Sequence, residues 1–144
     1  MRIHRSLFAV LALFVAFHAS AASPASSRIK TVYHLGEGLE QATHALRFIR
    51  NHLIGDPKAK IVVVAHAAGV DFLLEGAEDK NKNPYNVAVE DLSMQGVEFR
   101  VCELTLQSRG IDKAKLLPEV KIVPSGVAEL ARLQAREGYA YIRP

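Results

Sequence analysis

The chain holds one cysteine, Cys102, set where an apolar run meets the start of a predicted helix: Val97-Glu98-Phe99-Arg100-Val101-Cys102-Glu103-Leu104-Thr105-Leu106. In an open α/β sheet such a junction, at the carboxyl end of a strand, is where ligands bind and chemistry is done. A solitary thiol that cannot close a disulfide within its own chain is either core filling or a nucleophile. His34 ends one strand-like run and His66 follows another. If the strands are parallel, both imidazoles and the thiol open on the same rim. Backbone N–H groups at a helix start favour the thiolate, and a neighbouring imidazolium would favour it further. Glu98 and Glu103 act in the opposite direction, so the residues alone leave the net shift open. Each histidine also has the ordinary role of a hydrogen-bonded structural imidazole. Zinc or copper would accept a mixed His34, His66 and Cys102 set; no metal and no cofactor is assigned from the sequence. His44 and His52 stand eight residues apart on one predicted helix, which is no ligand spacing.

The elements that must position these groups follow from periodicity. Ile29–Leu35 mixes β-branched and aromatic residues and predicts a strand. Leu39, Ala42, Leu46, Ile49 and Leu53 recur at three- and four-residue spacing, one apolar stripe of a helix that Gly55-Asp56-Pro57 stops. Ile61-Val62-Val63-Val64-Ala65 is an unbroken run typical of a strand buried on both faces. Gly69–Leu74 is a second apolar run, read as a short strand or extended segment, and Glu75–Pro84 as a solvated excursion. Tyr85, Ala88, Val89 and Leu92 mark a helix closed near Gly96. Val97–Val101 is the strand leading to Cys102, and Glu103–Arg109 a helix ended by Gly110. Val120–Val123 is a further strand. Pro124-Ser125 opens a helix bearing Val127, Leu130 and Ala131, which Gly138 caps before a last short strand, Tyr139–Ile142. Strands alternating with helices predict an α/β domain with a mainly parallel sheet of about five strands. Strand order is not readable from this pattern.

Met1-Arg2-Ile3-His4-Arg5 is a short basic start. The uncharged stretch Leu7–Phe17 is too short to span a bilayer comfortably, and Ala19-Ser20-Ala21 has the small-x-small form of a signal-peptidase site. The expectation is a signal peptide over residues 1–21, a flexible leader over 22–28 and one domain over 29–144. Losing Arg2 and Arg5 takes the Lys and Arg count from 18 to 16, against 15 Asp and Glu, so the exported chain is close to neutral. No basic cluster is interleaved with aromatics, which argues against nucleic-acid binding. No second stretch approaches membrane-spanning length.

Several motifs fail. There is no C-x-x-C, no Walker lysine and no G-x-S-x-G elbow. Gly36-Glu37-Gly38 with Gln41 matches only part of a dinucleotide fingerprint, and Glu37 would repel a pyrophosphate. Ser125-Gly126 has the form of a helix start that offers backbone amides to an anion, although an ordinary N-cap role for Ser125 competes with that reading.

The Val97–Leu106 segment quoted above, with Arg109-Gly110-Ile111 after it, resembles the DsrE/DsrF-like sulfur-relay family. So do Val123-Pro124-Ser125-Gly126-Val127-Ala128-Glu129-Leu130-Ala131-Arg132-Leu133-Gln134 and the closing Glu137-Gly138-Tyr139-Ala140-Tyr141-Ile142-Arg143-Pro144. The resemblance implies a three-layer α/β/α domain that assembles into homo-oligomers, trimers or hexamers. It also implies that Cys102 carries sulfane sulfur as a persulfide, exchanged with a thiol-bearing donor or acceptor protein and needing no cofactor. His34 and His66 are not carried by the resemblance. The expectation is a periplasmic sulfur carrier; its rivals are a non-catalytic oligomeric module with a structural cysteine, and a metal or redox sensor.

Overall fold

A computed structural model describes residues 28–144; the expected signal peptide over residues 1–21 and the expected leader up to residue 27 lie outside the described residues. The elements are β1 (Lys30–Leu35), α1 (Leu39–Gly55), β2 (Lys60–Ala65), α2 (Tyr85–Met94), β3 (Glu98–Cys102), α3 (Glu103–Ser108), β4 (Val120–Val123), α4 (Gly126–Glu137) and β5 (Ala140–Ile142). All five strands are parallel, in the order β4-β3-β2-β1-β5. Helices cover both faces, which makes the domain the expected three-layer α/β/α sandwich.

The layers follow from crossover handedness. From β1 to β4 each new strand is added on the same side of the last, so right-handed connections put α1, α2 and α3 on one face. The chain then returns past three strands to place β5 beside β1, and the same handedness puts α4 on the other face. Alternation along the strands feeds both layers. Tyr33, Leu35, Ile61, Val63, Phe99 and Val101 enter the larger core with Ala45, Ile49, Val89, Leu92 and Leu106. Val32, Val62 and Val64 meet Leu130, Leu133 and Tyr139 under α4. β2 contributes to both clusters, which is why its sequence is apolar without alternation.

Two local readings change. Gly69–Leu74 is not extended: Ala67–Leu73 forms a 3₁₀ helix. Its buried residues are Gly69, Val70, Phe72 and Leu73, a helical spacing, with Asp71 turned outward to Arg109 at 2.8 Å. In α4 the buried stripe is Gly126, Leu130 and Leu133, while Val127 and Ala131 face outward. Gly138 takes the left-handed conformation (φ +70°) that the turn out of α4 requires.

Candidate functional site

Cys102 ends β3 and is the N-cap residue of α3. The helix after β3 lies on one face and the helix after β4 on the other, so a topological switch point falls between these strands, beside the thiol. Open α/β sheets bind ligands in that crevice.

The thiol is 6% exposed. Burial pushes its pKa up, yet the net displacement is downward, because hydrogen bonds to sulfur outweigh burial. The groups that lower it are the Gly126 N–H in the first turn of α4, the Thr105 hydroxyl and N–H on α3, and the Leu104 N–H. The hydroxyl is held for this: Thr105 Oγ1 accepts the Ala67 N–H at 3.0 Å, which leaves its own proton for sulfur. Arg109 Nη1 in turn donates to the Ala67 carbonyl at 2.9 Å, so α3 and the residue that caps it hold both polar groups of the residue after His66.

The two glutamates expected to oppose the thiolate are neutralised. Glu98 is paired with Arg100 at 2.8 Å and Lys121 at 3.3 Å, and Glu103 with Lys113. The amides at Ser125-Gly126 also find their use. Ser125 is an N-cap, accepting the Ala128 N–H at 3.4 Å, and the Gly126 N–H is turned to the chain's own Cys102 sulfur. The Gly36-Glu37 amides are spent within the chain as well, both donating to Gln41 Oε1, at 3.0 and 2.9 Å.

His34 and His66 do meet at the rim. Their Nε2 atoms lie 2.6 Å apart, and His34 Nδ1 is 2.6 Å from the Tyr141 hydroxyl on β5. One Nε2 must donate and the other accept. Burial is the main cause that lowers the pKa of both rings; Arg143 adds to it for both, and His66 adds to it for His34. The imidazolium that would assist the thiolate is therefore replaced by a neutral pair. Register places His66 one residue past the Ala65–Val101 pair, level with Cys102. Gly126 sits between them: a Cβ there would stand 3.1 Å from Cys102 Cβ and 3.2 Å from His66 Cβ. No three His, Cys, Asp or Glu side chains among the described residues are grouped to hold a metal ion. His52 has a structural bond, 3.0 Å from its Nδ1 to the Tyr33 hydroxyl, and His44 is exposed on α1.

Sequence reasoning missed Thr105, Arg109 and Tyr141, and named the Ser125-Gly126 amides without their partner, the Cys102 sulfur. Thr105 had a legible signal, since a hydroxyl three residues past an N-cap can reach back to it. Tyr141 had none, because only the strand order brings β5 beside β1.

The DsrE/DsrF-like family profile matches residues 12–144. The fold is similar to that of MTH1491, a protein of unknown function from Methanobacterium thermoautotrophicum. Identity is 36%, the TM-score is 0.73, and the match covers 81% of this chain and 99% of that one. It is also similar to the YchN protein of E. coli, at 18% identity and a TM-score of 0.66, with coverage again 81% and 99%. No curated protein matches the chain. Profile, fold and the carried segments agree: the chain belongs to the DsrE/DsrF-like family, which at family level suggests sulfur relay.

Proposed function

We propose that the protein is an exported, homo-oligomeric sulfur carrier whose Cys102 thiolate accepts sulfane sulfur. The observation that carries this reading is the convergence of donors from α3 and α4 on Cys102 Sγ, which keeps a buried thiol ready to ionise. The thiolate attacks the outer sulfur of a donor R–S–SH. A Cys102 S–S bond forms, the donor's S–S bond breaks, and R–S⁻ leaves. A thiol of an acceptor protein then takes the terminal sulfur by the same exchange. No cofactor takes part.

Leu104 and Val127 flank the site at 57% and 62% exposure and offer an apolar surface for a neighbouring subunit or acceptor. Export to the periplasm rests on the basic start, the short apolar stretch Leu7–Phe17 and Ala19-Ser20-Ala21. Among the described residues no helix is long and apolar enough to cross a membrane.

The test is the intact mass of the purified mature protein before and after polysulfide or thiosulfate, with Cys102→Ser alongside. Wild type should gain whole sulfur atoms, reversibly with reductant, and Cys102→Ser should not. The near-complete burial of Cys102 favours a second reading, a structural cysteine in a non-catalytic oligomeric module. No mass gain, together with resistance to alkylation until denaturation, would establish that reading instead.

A further inference from the structure

The carrier reading of Cys102 needs a route for one proton, since a thiol that ionises must release one and a departing sulfur must often take one up. The rim supplies a chain of groups suited to this. Tyr141, 43% exposed, reaches solvent; its hydroxyl is 2.6 Å from His34 Nδ1, and His34 Nε2 is 2.6 Å from His66 Nε2. His66 stands level with Cys102, across the tight gap that Gly126 fills without a Cβ. Its remaining nitrogen, Nδ1, has no hydrogen-bond partner among the described residues. Gly36 lines the other side, where a Cβ would stand 3.0 Å from His66 Cε1 and 3.5 Å from His34 Nε2. His66, packed between two glycines and bonded nitrogen to nitrogen to His34, belongs to a fixed arrangement rather than to two surface imidazoles.

We propose that Tyr141, His34 and His66 form a proton wire between solvent and the Cys102 sulfur, with His66 Nδ1 as its inner end, reaching sulfur across one water. This inference rests on the carrier reading and names the residues that serve the same site. In one set of tautomers His66 Nε2–H donates to His34 Nε2, and His34 Nδ1–H donates to the Tyr141 oxygen, leaving His66 Nδ1 bare. On ionisation the Cys102 S–H bond breaks and His66 Nδ1–H forms. The Nε2 proton of His66 passes to His34 Nε2, the Nδ1 proton of His34 to the Tyr141 oxygen, and the phenolic proton to water. Sulfur keeps the electron pair. Both rings end neutral with their tautomers inverted, which suits rings whose burial disfavours a cation. When a donor's sulfur leaves as R–S⁻, the wire runs backwards: His66 Nδ1–H protonates it, and solvent restores the phenol. No oxidant or reductant enters.

The experiment measures two rates across pH in wild type, His66→Asn, His34→Phe and Tyr141→Phe: sulfur loading from glutathione persulfide, and alkylation of Cys102 by iodoacetamide. At neutral pH His66→Asn should load about a hundredfold more slowly and His34→Phe about tenfold more slowly, the span expected of general acid–base groups. Added imidazole should restore much of the loss in His66→Asn. At pH about 10, where hydroxide ionises the thiol unaided, all four proteins should alkylate alike. Tyr141→Phe, which keeps the ring, should mainly reduce the solvent deuterium isotope effect on loading. Unchanged loading in His66→Asn, or equal losses at neutral and high pH without imidazole rescue, would overturn the wire and leave the pair structural. If wild type loads no sulfur while its neutral-pH alkylation still depends on His66, the carrier reading fails and the wire stands.

Discussion

At 6% exposure a thiol would ordinarily hold its proton, and the direction of the Cys102 shift depends on a few donors. Thr105 is the one most open to test, because its hydroxyl serves two partners at once. Thr105→Val keeps the branched shape, removes the donor to sulfur and leaves the Ala67 N–H without its side-chain acceptor. Losing a hydrogen bond to a charged group removes roughly 1.5–3 kcal/mol of preference for the thiolate. Alkylation of Cys102 at neutral pH should therefore slow by about tenfold or more, and the ultraviolet titration of the thiolate should move to higher pH. Thr105→Ser, which retains the hydroxyl, should stay near wild type. An unmoved titration in Thr105→Val would show that the amides of Gly126 and Leu104 suffice. Gly126 makes a second test at this scale. In Gly126→Ala the new methyl must push against Cys102 Cβ at 3.1 Å and His66 Cβ at 3.2 Å, neither of them the free end of a long side chain. The variant should fold, lose the downward shift of Cys102 and react slowly with iodoacetamide at neutral pH.

At the scale of elements, strands and helices were legible wherever one periodicity dominated. β2 read as buried on both faces because both cores use it, and the stops at Gly55-Asp56-Pro57, Gly110 and Gly138 fell where turns require them. The segment after β2 was misread because a short apolar run does not announce its period. Its burial shows what was missed: Gly69, Val70, Phe72 and Leu73 are buried and Asp71 is not, a pattern with helical rather than alternating spacing. Gly69 also explains why this turn must pack closely. A Cβ there would stand 2.3 Å from the Leu35 carbonyl oxygen and 2.8 Å from the Gly36 nitrogen, both backbone atoms that cannot swing aside. Overpacking typically costs about 1–3 kcal/mol even where side chains can adjust. Gly69→Ala should therefore destabilise by about 3 kcal/mol or more, visible as a large drop in Tm. It should also disturb the His34–His66 pair, since β1 and the start of the 3₁₀ helix carry both rings. A Tm within a degree or two of wild type would mean that the backbone yields more readily than this packing implies.

For the whole molecule, the alternation of elements made the parallel sheet legible, but the order β4-β3-β2-β1-β5 was not, because handedness and pairing are decided between segments. That order makes the site. It sets Cys102 beside the switch point, brings β5 with Tyr141 to His34, and sends α4 across the sheet so that Gly126 reaches sulfur. It also gives the fold a pH dependence that can be located in advance. His34 and His66 have folded pKa values below the ordinary value near 6.5, mainly through burial. As pH falls through that ordinary value, the unfolded chain takes up protons that the folded pair resists, so stability is full above it and declines below it, down to the folded values. Glu98, held low by Arg100 and Lys121, and Glu129, held low by Arg132 and Arg100, in both cases against the effect of burial, lose their contribution only at more acidic pH. The interval from about pH 6.5 down to about 5 therefore belongs to the histidines. Urea unfolding should give a falling midpoint across that interval and a flat one from about pH 7 to 8. In a His34→Gln/His66→Gln double variant, less stable at neutral pH, the midpoint should be nearly level over the same range. A wild-type midpoint that does not move between pH 6.5 and 5, or a double variant that falls just as steeply, would place the two rings in water and remove the neutral pair on which the wire depends.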